Sequence, residues 1–126
     1  MADFNVVLLY VRSPAASERF YADLLGRPAV ESSPTFAMFA LGGGAMLGLW
    51  GRDGVQPPPA PGDGAGHGEL AMPVADASAV RDLHADWSAR GIAIAQAPTA
   101  MEFGVTFVAL DPDGHRLRVF APPAAA

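Results

Sequence analysis

Residues 5–11, Asn5-Val6-Val7-Leu8-Leu9-Tyr10-Val11, are apolar at nearly every position. Such a run reads as a strand with apolar side chains on both faces. The period then changes. Ser13-Pro14 opens a helix, because serine caps free N–H groups and proline fits the first turn. Phe20 and Leu24 lie four apart and share a face, with Tyr21 and Leu25 beside them. Gly26 stands where a left-handed residue ends a helix. Short strands are predicted over 29–32, 36–41 and 45–50, with Gly42-Gly43-Gly44 turning between the last two. Phe36, Met38 and Ala40 alternate on one strand face, and that pattern suits sheet core and ligand surface equally.

Residues 51–67 change character. Glycines alternate with Pro57, Pro58, Pro59 and Pro61, with almost no large apolar side chain, as in a linker or loop. After it the first pattern returns. A strand is predicted over 69–74. Asp76 caps a helix whose stripe is Val80, Leu83 and Trp87. Gly91 stops it, and a short strand follows over 92–96, then an irregular stretch over 97–101. Asp111-Pro112-Asp113-Gly114 suits a type I turn, with asparagine-like backbone bonding at Asp111, fixed φ at Pro112 and glycine last. Its apolar flanks make a hairpin. On the second strand His115, Leu117 and Val119 face one way, and Arg116, Arg118 and Phe120 the other. Both halves thus read strand, helix, glycine, three strands. One βαβββ unit cannot bury both sheet faces alone, so two are expected to pair their sheets around a concave surface.

Composition narrows the function. The chain has 126 residues, 51% hydrophobic, enough for one compact domain with a core. No run approaches the ~20 apolar residues of a membrane span, and the first residues lack a signal-peptide pattern. There is no cysteine, hence no disulfide and no thiolate. A cytoplasmic protein is the simplest reading. The net charge is −5, and all eight basic residues are arginine. That argues against nucleic acid, whose phosphates need a basic patch.

Three stretches carry a resemblance. They are Leu8-Leu9-Tyr10-Val11-Arg12-Ser13, then Phe20-Tyr21-Ala22-Asp23-Leu24-Leu25-Gly26, and the hairpin Asp111-Pro112-Asp113-Gly114-His115-Arg116-Leu117-Arg118-Val119-Phe120. Together with the repeat, they make the chain similar to the vicinal oxygen chelate superfamily, which includes glyoxalase I, extradiol dioxygenases and bleomycin-resistance proteins. The resemblance implies an α+β fold of two βαβββ modules forming a cup, paired in a homodimer. The expected divisions are module one 4–50, linker 51–67 and module two 68–121. Leu47-Gly48-Leu49-Trp50 and Glu102-Phe103-Gly104-Val105-Thr106-Phe107 add a finer likeness to the phenazine-resistance proteins, which sequester drugs without catalysis.

Metal-dependent members of that superfamily carry His or Glu at four cup positions. Here the resemblance places Val6 at the first, finds no Asp, Glu or His over 34–50 for the second, and places Glu69 and Arg118 at the third and fourth. A guanidinium repels a cation, and one carboxylate falls short of the three ligands of a catalytic site. No metal, cofactor or catalytic residue is therefore expected. His67 is read as a loop histidine, the alternative being a partial metal site with Glu69; His84 is read as a surface residue, and His115 as a hydrogen-bonding group at a strand start.

The residues expected to bind a ligand are Trp50, Phe103, Arg118, Phe36, Met38 and Tyr10. Trp50 either packs against the linker or a partner, or walls a cleft. Phe103 either anchors a strand start or places a ring at the cleft mouth. Arg118 is either an edge arginine paired with a carboxylate or a cup residue that meets an anionic or carbonyl group. Trp87 belongs to the core. The expected function is metal-independent binding and sequestration of a small planar aromatic compound, such as a phenazine antibiotic, by a homodimer. The alternative is a metal-dependent lyase or dioxygenase using Glu69. A third possibility is a dimeric scaffold without ligand.

Overall fold

The computed structural model describes residues 4–56, 58 and 69–123. The chain divides into two compact units, Met1–Asp63 and Gly64–Ala126. In the first, β1 (Val6–Val11) leads into α1 (Pro14–Leu25), then β2 (Glu31–Ser32), β3 (Phe36–Ala40) and β4 (Met46–Gly51). The strands lie in the order β1-β4-β3-β2. β1 runs parallel to β4, and the other pairs are antiparallel. The helix forms where its caps dictate. The Ser13 hydroxyl accepts from Ala16 N–H at 3.1 Å, and the left-handed Gly26 donates its N–H to Ala22.

One face of this sheet is core. Val11, Ala37, Phe39, Leu47 and Leu49 are fully or almost fully buried and point to the side where Pro14 of α1 approaches Gly51. The helix answers with Pro14, Ser17 and Tyr21. Its most buried ring is therefore Tyr21, while Phe20 and Leu24 of the expected face are half-buried.

Gly51, expected to begin the linker, closes β4. Arg52–Gly54 form one 3₁₀ turn, and Val55 after it is buried. Residues 57 and 59–67 of the expected linker, with His67, and residue 68 lie outside the described residues.

The second unit repeats the plan with β5 (Glu69–Pro73), α2 (Ala77–Ala89), β6 (Ile94–Met101), β7 (Gly104–Leu110) and β8 (Arg116–Ala121). The order is β5-β8-β7-β6, with β5 parallel to β8. Asp76 caps α2 by accepting from Ala79 N–H at 2.9 Å. Val80 and Trp87 are buried, and the Trp87 ring meets Phe107 edge-on at 5.3 Å. His84 sits on the same stripe. Its ring lies 5.4 Å from Phe107, so it is half-buried rather than a surface residue.

β6 differs from expectation. It begins at Ile94 and continues through Met101, across the stretch read as irregular. Pro98 within it cannot donate to a ladder. As an outer strand, β6 tolerates it, with register shifts between Ile94 and Gln96 and between Gln96 and Thr99. Met101 pairs with Gly104, leaving Glu102-Phe103 as a tight two-residue turn. Only glycine fits after it. Gly104 has φ 130°, and a Cβ there would collide with the Ala121 carbonyl oxygen.

Among the described residues no helix is long and apolar enough to cross a membrane.

Candidate functional site

Each sheet has a second face, opposite its helix. In the first unit the strand register decides what that face carries. Tyr10 pairs with Trp50, and Trp50 with Phe36. Partners in register project to the same side, so three rings stand in one row across β1, β4 and β3. Trp50 meets Tyr10 at 6.4 Å and Phe36 at 6.5 Å between centroids, with interplanar angles of 81° and 87°. Both are edge-to-face contacts, the arrangement ring quadrupoles favour. The row is only partly covered. Tyr10 is 45% exposed, and Trp50 and Phe36 are half-buried.

The next row along the same face is Leu8, Gly48 and Met38. Gly48 has no side chain, and the space is taken by its neighbours. A Cβ there would stand 2.5 Å from Leu8 Cδ2 and 3.0 Å from Phe36 Cζ. Leu8 and the Phe36 ring therefore lie across bare backbone, and the glycine sets how low that surface sits. Gly48 and Leu8 are not among the residues expected to bind a ligand. A glycine inside an otherwise apolar strand was the available signal.

Four of the expected residues, Tyr10, Phe36, Met38 and Trp50, thus share one face of one sheet. Phe36 and Met38 stand opposite the buried Ala37 and Phe39, off the helix-packed core.

Phe103 and Arg118 belong to the second unit. Phe103 occupies the β6–β7 turn, with its ring 6.3 Å from that of Phe120. Arg118 projects from β8, an interior strand, so it is not an edge residue. Its Cζ stands 5.6 Å from the Phe103 centroid, within cation–π range. Its Nε donates to Glu69 Oε1 at 2.9 Å, and its Nη1 to Thr106 Oγ1 at 3.1 Å. Thr106 is fully buried and donates its own hydroxyl hydrogen to the Val119 carbonyl at 2.9 Å. Arg118 is thus both carboxylate-paired and held on the open face. Thr106 was not foreseen, since nothing local marks a threonine as an arginine's acceptor.

These residues bear on a metal. Val6 offers only a methyl-bearing side chain, Arg118 a cation, and Glu69 is committed to that guanidinium. Among the described residues no three His, Cys, Asp or Glu side chains cluster as ligands. The donor set of the described residues does not fit a catalytic divalent ion.

His115 has a separate role. Its Nδ1 lies 2.8 Å from Asp111 Oδ2, while Asp111 Oδ1 accepts from the N–H groups of Asp113 and His115. The pair locks the β7–β8 turn. The hydrogen bond to Asp111 raises the imidazole pKa above its ordinary 6.5; burial pulls against this, and the charges of Asp111 and Asp113 add to it.

Comparison with known proteins agrees with this architecture. The family model described as Glyoxalase/Bleomycin resistance protein/Dioxygenase superfamily matches residues 3–119. The phenazine antibiotic resistance protein EhpR of Enterobacter agglomerans is 28% identical over 120 residues, covering 91% of this chain and 88% of that protein. A protein of Agrobacterium tumefaciens, solved in solution by NMR, is 48% identical with a TM-score of 0.86, covering 98% of this chain and 100% of that one. A glyoxalase/bleomycin resistance protein/dioxygenase from Nocardioides superposes with a TM-score of 0.84 at 22% identity, over 100% of this chain and 87% of that one. At that identity the likeness concerns the fold alone.

Proposed function

This chain belongs to the glyoxalase/bleomycin resistance protein/dioxygenase superfamily, and on that premise we propose that it binds and sequesters a small planar aromatic compound without a metal. The observation that carries this reading is the row Tyr10–Trp50–Phe36 on the open face of the first sheet. Three partly exposed rings in register cost stability unless something covers them, and a flat apolar ligand gains stacking and burial there. Met38 flanks the row. In the second unit, Phe103 and Arg118 are the ligand-facing pair, one apolar and one polar. The chemistry of the donor set supports binding over metal-assisted lyase or dioxygenase action. The likeness to a phenazine antibiotic resistance protein supports a tricyclic aromatic ligand.

The working form in this proposal is a cytoplasmic homodimer. β1 is an outer strand whose Val6, Val7, Leu8 and Tyr10 are all exposed, an apolar surface that a second copy would cover. Light scattering should give twice the chain mass at micromolar concentration, and a stable monomer would remove this part.

The binding test is fluorescence titration with phenazine-1-carboxamide. Trp50→Ala should weaken binding about tenfold or more, since stacking contributes roughly 0.5–1.5 kcal/mol beyond burial. Unchanged affinity in that variant would place the ring site elsewhere. No binding of any planar aromatic would remove the function.

A further inference from the structure

Arg118 has five N–H groups, and two are engaged: Nε by Glu69 and one on Nη1 by Thr106. The second Nη1 hydrogen and both on Nη2 donate to none of the described residues. Phe103 lies against the guanidinium. A ligand acceptor therefore approaches at the Nη edge, and what it meets there is a donor whose charge is already matched. The Arg118 side chain is only 17% exposed and that of Glu69 34%, so water screens the pair incompletely.

From this we infer that Glu69 is a specificity-determining residue, which tunes Arg118 to accept neutral carbonyl or amide ligands and to reject carboxylates. The inference rests on the reading that Arg118 meets a ligand. A bare arginine would favour an anion, because a charged hydrogen bond is roughly twice as strong as a neutral one. With Glu69 Oε1 held against Nε, a ligand carboxylate brings a second negative charge into the same partly covered space. Only one positive charge is there to meet both. A carbonyl oxygen takes the free N–H groups without that repulsion. Specificity then comes from a repulsive element as much as from an attractive one.

The experiment compares two probes of nearly identical shape, phenazine-1-carboxamide and phenazine-1-carboxylate, at neutral pH. The native protein should bind the amide at least tenfold more tightly. Glu69→Gln keeps an acceptor for Nε and removes the charge. In that variant the carboxylate should gain about tenfold or more, while the amide changes by less than about threefold. Thermal melting of Glu69→Gln establishes that it is folded. If it is not, the native preference alone decides. Equal or tighter binding of the carboxylate by the native protein overturns the inference and leaves the aromatic-ligand reading standing. A native preference for the amide that Glu69→Gln, folded, leaves unchanged also overturns it. Binding of neither probe overturns both.

Discussion

Asp111 and His115 close the β7–β8 turn with a 2.8 Å contact between Oδ2 and Nδ1, beneath two backbone N–H bonds to Oδ1. The folded-state pKa of His115 is raised, so its proton binds more tightly in the folded chain than in the unfolded one. The stabilisation is fully present below the ordinary value of 6.5 and is lost as pH rises through the folded pKa. The melting temperature should therefore fall as pH is raised through that window. His115→Gln should remove this part of the pH dependence. A native profile that is flat, or that rises, across the same window would contradict the assignment.

Gly104 is the backbone position with least latitude. With φ at 130° and the Ala121 carbonyl in the way of a Cβ, Gly104→Ala should cost about 3 kcal/mol or more. Urea denaturation would measure it, and an unchanged midpoint would mean the turn relaxes freely.

Gly48→Ala should separate binding from stability. The new methyl meets the ends of two side chains, Leu8 and Phe36, which can move aside. A stability loss of about 1–3 kcal/mol is expected, as for other overpacked sites. Binding of phenazine-1-carboxamide should fall several-fold, because the Phe36 ring is lifted out of the row. Loss of stability with native affinity would show that the floor at Gly48 is irrelevant to the ligand.

Trp87→Ala serves as the opposite case. The side chain is 4% exposed and meets Phe107 in the core of the second unit. Its truncation should lower stability by roughly 3–5 kcal/mol. In calorimetric titration under conditions where the variant remains folded, affinity should stay native. A weakened affinity there would implicate the second core in binding.

What was legible in the sequence was what neighbours in the chain decide. Ser13, Gly26, Asp76 and Gly91 bound the two helices, and Asp111-Pro112-Asp113-Gly114 specified the hairpin, because capping and turn chemistry act over a few residues. The site was legible in its residue types and hidden in its partnerships. Tyr10, Trp50 and Phe36 form a row only through strand register, which no local pattern records. Arg118 finds Glu69 across 49 residues. β6 runs past its expected end at Gln96 and through Pro98, which its place at the sheet margin makes harmless. His84 was misplaced because polar neighbours on α2 masked its position on the Val80–Trp87 stripe.

The parallel pairing of first and last strands has a consequence for synthesis. Val6 takes its ladder partner from Met46, and Glu69 from Arg116, separations of 40 and 47 residues. At about 5–20 residues per second, the apolar strand β1 leaves the ribosome roughly 2–8 seconds before β4 exists to receive it. During that interval Val6, Val7, Leu8 and Leu9 form a hydrophobic segment with nothing to pair with, the kind of segment a nascent-chain chaperone holds. The same wait recurs for β5. The yield of folded protein in the cell thus depends on the pace of translation from β1 to β4 and from β5 to β8 as well as on the stability of the finished sheets.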